Sequence, residues 1–389
     1  MTIVIFGDNF TFPEGDASTN RVYTYAKGFI ENGIEVHVIC FENEYNSSGD
    51  GLINEIHYYH PFGQRKRSKY FVIRRLQKFK KYLKTLILLR RINKSDKIIT
   101  IIVYAMNLST HLFAWYLSRI YGTKLIKECS EHPLNHYQKN VLKKGQGLIK
   151  LNIESRLCDG IFCISRFLVD FFKVHGIPQR KLFLIPSTVD PGRFTQNEEK
   201  PIPYSYIGYF GGLTFKRDNI DILIMAFAMI TSKHPDLNLV VGGFCSKNER
   251  KQLENLILKY KISLKVVLLK YLTRQEIIRY IIHSDILVMV RGNDMESQAS
   301  FPCKLTEYLA TSKPVVTVNV GEISDYLTDG VNSFLVEPGD CNGLAEKLDY
   351  VLNNYELALE IAQRGKQLTS TIFNYNFQAK RIIQFIETL

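Results

Sequence analysis

The chain has 389 residues, 46% hydrophobic and 23% charged, with a net charge of +12. That length suits two or three domains, and the balance excludes a disordered, collagen-like or coiled-coil protein. The charge is concentrated: between Arg65 and Lys94 stand thirteen cations and no acid, and the rest of the chain is nearly neutral.

Taken in chain order, residues 3–6 read as a buried strand of branched side chains. No basic stretch or long apolar core precedes them, which predicts no secretory signal. No apolar run approaches the roughly 18 residues that a transmembrane helix needs. A loop of Gly, Pro, Asp, Ser and Thr residues follows at 8–18, then a helix at 20–32. Gly33 stands where a left-handed cap is expected. The next strand is 35–40.

In the basic segment Ile73, Leu76, Phe79, Leu83, Leu86 and Ile87 recur at helical spacing over 69–92. Arg74, Arg75, Lys78, Lys80, Lys81 and Lys84 fill the remaining positions, with Tyr70, Phe71 and Tyr82 as further aromatics. A cationic amphipathic helix of this kind suits an anionic membrane surface, at about 1 kcal/mol per cation close to it. The alternative is an apolar stripe packed on the sheet, with the cations simply solvated. Nucleic acid could use the same charge, but no recognition motif accompanies it, so no nucleic-acid partner is expected.

Residues 97–104 are nearly all apolar, like a central strand covered on both faces. A helix at 110–121 and strands at 124–128, 160–164 and 182–185 continue the alternation, with a helix from Ser165. Pro, Gly and polar residues at 186–203 predict a linker. Alternation then restarts, with strands at 204–209, 237–241, 266–269, 286–290, 315–320 and 333–336. The expected fold is α/β: two doubly wound Rossmann-like domains, at 1–190 and 195–372, facing across a cleft.

Neither G-x-G-x-x-G after the first strand nor G-x-x-x-x-G-K-[ST] occurs. The most informative segment is 291–316. A strand ends in a polar loop, Pro302 suits a first helical turn, and the helix runs to about Ala310. Its free amide ends and Lys304 suit a diphosphate, and Glu307, on the same face, suits the hydroxyls of a ribose. The bland reading is an exposed Lys304–Glu307 pair. A second cluster is Cys129, Glu131, His132 and His136, where Pro133 argues against one helical face for zinc. Seven scattered cysteines without a C-x-x-C pair predict no disulfide framework and a reducing compartment.

The run FPCKLTEYLATSKPVV resembles the donor-binding segment of glycosyltransferase family 4, in the subgroup reading F-P-x-K-L-x-E-Y-L-A-x-x-K-P-V-V. IGYFGGLTFKRDNIDILIMAF, VGEISDYLTDGVNSFLVEPGD and FPEGDASTNRVYTYAKGFIENGIEVHVI resemble further segments of that family. The resemblance implies the GT-B fold. It implies an N-terminal acceptor domain on which a last helix at 376–389 packs back, and a C-terminal donor domain. It also implies retaining transfer from a nucleotide sugar, by front-face attack that needs no protein base. Glu307 would hold the donor ribose. The first glutamate of the family's Glu-x7-Glu signature falls at Ala299, so the backbone of Ser300 and Phe301 would serve there. Gly211 and Gly212 would let the backbone approach phosphate, and Lys216, Arg217 and Arg291 compete as its cation. Glu131 or His132 would line the site, and Gly15 and Arg21 would face acceptor and diphosphate.

Together these readings predict a metal-independent hexosyltransferase with no cofactor beyond its nucleotide-sugar co-substrate, carrying UDP or GDP. It would act on a lipid-linked or oligosaccharide acceptor, in cell-surface polysaccharide biosynthesis, peripheral on the cytoplasmic face of the membrane. The rivals are a nucleotide-sugar epimerase of the same fold and a non-enzymatic basic membrane or nucleic-acid binder.

Overall fold

The computed structural model describes residues 1–43, 49–64, 66, 68–137, 140–195, 199–270 and 272–389. Arg65 and Arg67 of the basic segment, residues 196–198 of the linker and the side chain of His136 lie outside the described residues. The chain divides into two compact units, Met1–Thr188 with Tyr375–Leu389, and Val189–Asn374.

The first unit is built in the order β1 (Thr2–Gly7), α1 (Ala17–Glu31), β2 (Glu35–Cys40), β3 (Gly51–Ile53), β4 (Ile56–Tyr59), α2 (Phe71–Ser95), β5 (Ile98–Tyr104), α3 (Leu108–Tyr121), β6 (Lys124–Cys129), α4 (Val141–Leu157), β7 (Gly160–Cys163), α5 (Arg166–Val174) and β8 (Leu182–Leu184). Its sheet runs β3-β4-β2-β1-β5-β6-β7-β8. The β3–β4 hairpin is antiparallel and the other pairs are parallel. Strands such as β1 and β5 are nearly all apolar, with the buried Thr2 and Thr100 as exceptions, because helices cover both faces of a parallel sheet.

The second unit follows with β9 (Tyr206–Phe210), α6 (Ile220–Ile230), β10 (Asn238–Gly242), α7 (Lys247–Lys259), β11 (Val266–Leu268), α8 (Arg274–His283), β12 (Ile286–Met289), α9 (Met295–Ala299), α10 (Cys303–Ala310), β13 (Val315–Val318), β14 (Phe334–Val336), α11 (Cys341–Asn353) and α12 (Tyr355–Gln367). Its parallel sheet runs β11-β10-β9-β12-β13-β14. The last helix, α13 (Tyr375–Thr388), belongs to the first unit. Strand order reverses direction between β1 and β5 in one sheet and between β9 and β12 in the other. Doubly wound sheets bind ligands beyond the strand ends at such points.

The unit boundary departs from the expected linker. Val189 N donates to Phe373 O, and the Asp190 carboxylate caps the turn Pro191–Phe194, so this stretch belongs to the second unit. Helix α1 begins a turn earlier than expected because Asp16, whose carboxylate accepts from Ser18 N, is its cap. Gly33 does take positive φ, at 76°. The β3–β4 hairpin turns on Asn54 and Glu55, both at positive φ. Glutamate there conceals the turn, which Asn-Gly would have announced.

Helix α2 is where the sequence reading needs most correction. Its inward side is Lys81, Thr85, Leu89 and Ile92. The apolar stripe does not pack on the sheet, as the alternative reading had it, but points outward, with Ile73, Leu76, Phe79 and Leu83 all exposed. Lys81, assigned to the membrane-facing cations, is buried. Its Nζ donates to Phe41 O at 2.8 Å and Asn43 Oδ1 at 2.9 Å and sits 3.8 Å from the centre of the Phe41 ring. An ammonium held by two oxygens and a ring face clamps the helix to the end of β2.

Candidate functional site

The second unit's reversal point is formed by the loops after β9 and β12, with the start of α10 beside them. Gly211 and Gly212 follow β9. A Cβ on Gly211 would stand 2.7 Å from Lys304 Nζ, and one on Gly212 would overlap the Asp218 carboxylate. Glycine at both positions leaves the space that the Lys304 ammonium and the Asp218 carboxylate occupy. Lys304 reaches back from the first turn of α10 and donates to Tyr209 Oη at 2.9 Å, and that hydroxyl donates to Gly212 O at 2.8 Å. Tyr308, one turn further along α10, donates to Phe210 O and accepts from Phe210 N, which fixes the helix to the end of β9.

Arg291, two residues past the end of β12, is buried and donates from Nη2 to Ser300 Oγ at 2.9 Å. Arg217 is exposed and pairs with Glu296 at 2.9 Å. Lys304 lies 3.7 Å from Asp218. Burial pushes the Lys304 ammonium down to about 8, and repulsion from Arg291 and Arg217 adds to that against the pull of Asp218. Burial, then Arg217, likewise lowers Arg291. Lys304 and Arg291 are thus charged groups held largely away from water, with Arg217 nearby, an arrangement that an added anion stabilises. Lys216 is exposed and makes no ion pair among the described residues.

Other predicted residues sit differently from their assigned places. Pro302, expected in the first helical turn, is the capping residue before it, with φ −74° and ψ 121°. Phe301 turns its ring into the core against Tyr326 and Phe373. Glu307 is in reach of the same face of α10, but its Oε1 accepts from Arg274 Nη2 at 2.8 Å. Oε2 makes no hydrogen bond among the described residues. Tyr209, Asp218 and Arg274 were not singled out in the sequence. Their places come from tertiary contacts with residues 304 and 307, which no local pattern records.

In the first unit Gly15 is exposed in a tight loop, where a Cβ would overlap Thr19 Oγ1. Arg21 corrects the expectation that it faces ligand. It is buried, bonded through Nε to Glu128 Oε1 at 2.7 Å, through Nη1 to Pro186 O and through Nη2 to Ile185 O. Burial opposes its charge, but the Glu128 carboxylate outweighs that and keeps it above its ordinary range. Glu128 also accepts from Ser130 Oγ and Tyr25 Oη, so this network anchors the turn that carries Glu131. Glu131 is exposed. His132 is not: its ring packs on Phe167 and Phe171, its Nδ1 accepts from Leu134 N, and burial lowers its pKa. It is a packing residue of α5's neighbourhood. Among the described residues, no group of three or more His, Cys, Asp and Glu is placed to hold a metal ion.

Two family models match the chain, Glycosyltransferase Family 4 over residues 18–193 and Glycosyl transferases group 1 over residues 194–368. Curated relatives include an uncharacterized glycosyltransferase of Methanocaldococcus jannaschii, 28% identical over 162 residues, or 42% of each chain. The capsular polysaccharide biosynthesis glycosyltransferase CapM of Staphylococcus aureus is 27% identical over 169 residues, 43% of this chain and 42% of that one. These matches span less than half the length of either relative. Among solved structures, sucrose-phosphate synthase of Thermosynechococcus elongatus has a TM-score of 0.74 at 15% identity, covering 99% of this chain and 98% of that one. Anabaena HepE, crystallised with UDP and glucose, has a TM-score of 0.70 at 16% identity, covering 98% and 99%. The chain has the GT-B fold. Its two halves belong to these two glycosyltransferase families.

Proposed function

We propose that the protein is a retaining, metal-independent transferase that moves a sugar from a UDP- or GDP-sugar, held by the second unit, to a lipid-linked or oligosaccharide acceptor held by the first. The observation that carries this reading is the gathering of Lys304 and the buried Arg291, with Arg217, beside Gly211 and Gly212, and of Glu307 one turn beyond Lys304 on α10. A departing nucleoside diphosphate gains negative charge, and fixed cations and amide dipoles stabilise that charge without a metal. The Glu307 carboxylate supplies acceptors for vicinal ribose hydroxyls. HepE has been crystallised with UDP and with UDP-glucose, which supports such a donor. CapM's role in capsular polysaccharide biosynthesis supports a cell-surface glycan product.

The outward stripe on α2 supports action at a membrane surface, and the cytoplasmic face is the side proposed. Val72, Leu76, Phe79 and Leu83 are 67%, 57%, 62% and 44% exposed, with Lys80 and Lys84 alongside. No helix among the described residues is long and apolar enough to cross a bilayer. An interfacial helix binds by laying such a stripe into the headgroup layer.

The test is a thermal-shift titration with UDP and GDP. One of them raises the melting temperature of the native chain, and Glu307→Ala loses that rise. A full shift in the variant places the ribose elsewhere. Turnover of a nucleotide sugar to its epimer without acceptor overturns the transfer reading.

A further inference from the structure

Helix α2 has two working faces, and only one is the outward apolar stripe. Arg74, Lys78 and Lys81 are spaced four and three residues apart and therefore share the side that meets the sheet. That side roofs a polar cavity of about 410 Å³, a size typical of small-molecule sites. Its floor is Asp8 after β1 with Asn107 and Thr110 after β5, which places it at the first unit's own reversal of strand order.

The floor is rigidly made. Asp8 Oδ1 accepts from Met106 N at 2.8 Å, and Oδ2 accepts from Asn107 Nδ2 at 2.7 Å and Thr110 Oγ1 at 2.6 Å. A carboxylate has about four acceptor positions, so one remains open, as do Asn107 Oδ1 and the lone pairs of the Thr110 hydroxyl. Such a floor is acceptor-rich and suits sugar hydroxyls. The roof is the reverse. Arg74, Arg75 and Lys78 line it, and none of them forms an ion pair among the described residues. Lys81 is already held by Phe41 O and Asn43 Oδ1. Arg75 lies over the Phe71 ring, 5.1 Å from its centre, and Arg74, Arg75 and Lys78 outnumber the one carboxylate of the floor, which leaves the cavity lining net positive.

We infer that this cavity is a subsite for a sugar phosphate, with sugar hydroxyls on Asp8, Asn107 and Thr110 and the phosphate on Arg74, Arg75 and Lys78. The proposal rests on the acceptor role given above to the first unit and deepens it: the acceptor carries a phosphorylated sugar, free or attached to a lipid. Phe71 lines the same cavity and adjoins Val72 on the outward stripe, so a lipid on that phosphate has an apolar path away from the site.

Calorimetric titration of the full chain with α-D-glucose 1-phosphate, glucose and inorganic phosphate tests this. Glucose 1-phosphate binds, and the two fragments each bind at least about tenfold more weakly, because the cavity uses both ends of the ligand. The double variant Arg74→Gln/Arg75→Gln, at exposed positions that leave the fold intact, weakens glucose 1-phosphate by about tenfold or more. The same variant keeps UDP or GDP binding unchanged, which separates failure of this subsite from failure of the transferase reading. Absence of glucose 1-phosphate binding overturns the inference, as does inorganic phosphate binding equally well or the double variant binding equally well. Sedimentation with phosphatidylglycerol vesicles distinguishes the source of the phosphate. If the double variant loses vesicle binding while glucose 1-phosphate fails to compete, these cations serve the bilayer surface and the subsite does not exist.

Discussion

Lys304 shows how a single side chain can be prepared for an anion before the anion arrives. Its ammonium is held near pH 8 by burial and by its cationic neighbours. At that pH about half of the free protein carries the proton. A diphosphate beside it favours the charged form, so binding at pH 8 takes up about half a proton. Calorimetry in buffers of differing ionisation enthalpy reads this directly: the apparent binding enthalpy for UDP or GDP varies with buffer, and Lys304→Ala removes that dependence. The sign also fixes the affinity profile, which falls as pH rises through 8. In the ligand-free protein the same lowering makes the unfolded chain the better proton binder between about 8 and 10.5, so Lys304 favours folding more as pH rises through that window. An enthalpy independent of buffer would place the phosphate away from Lys304. The sequence revealed Lys304 and Glu307 because their one-turn spacing is local. It did not reveal that Glu307 already holds Arg274, or that Tyr209 orients Lys304, because those contacts span 33 and 95 residues.

At the scale of elements, the helices and strands were legible from periodicity and α2 was not mistaken as a helix, but its orientation was hidden. Alternating apolar and cationic residues at helical spacing define two faces without saying which one the sheet takes. Burial chose the face of Lys81, Thr85, Leu89 and Ile92, since an ammonium satisfied by two oxygens costs less to cover than one left unpaired. The apolar stripe was thereby left to solvent or lipid. A specific consequence separates the membrane role from the cavity beneath. Leu76→Ser/Phe79→Ser changes only the outward face, so it weakens sedimentation with phosphatidylglycerol vesicles by about tenfold or more, at about 1.5–3 kcal/mol per buried side chain. It leaves the folding transition within about 1 kcal/mol of native, because both side chains are already exposed. Unchanged vesicle binding in that variant would remove the stripe from the membrane reading. The short α9 and the β3–β4 hairpin lay beyond periodicity altogether: one is five residues long and the other turns on Glu55.

For the molecule as a whole, the chain leaves its first unit after Thr188 and returns to it at Tyr375. The first and last residues of the second unit, Val189 and Asn374, are themselves bridged. The returning helix completes a core it did not begin: Ala379, Ile382 and Ile386 are buried with residues of α1, β1 and β2. Gly28 on α1 makes this contact possible, since a Cβ there would stand 2.6 Å from Ala379 Cβ and 2.9 Å from Tyr375 O. Replacing glycine by alanine inside a helix ordinarily stabilises by about 1 kcal/mol. Gly145 in α4 has nothing within 4 Å of such a Cβ, so Gly145→Ala follows that rule and raises the first unit's melting temperature by about 2–4 °C. At Gly28 the backbone oxygen of Tyr375 cannot yield without moving α13, and overpacking of this kind costs about 1–3 kcal/mol. Gly28→Ala therefore lowers the same transition, opposite in sign to its control. The second unit does not share this contact, so the stabilisation that UDP or GDP confers on it is the same in both variants. Calorimetric melting with and without nucleotide reads both effects. A Gly28→Ala protein as stable as the Gly145→Ala protein would mean that α13 does not close the first unit's core, and with it the return of the chain would lose its structural reason.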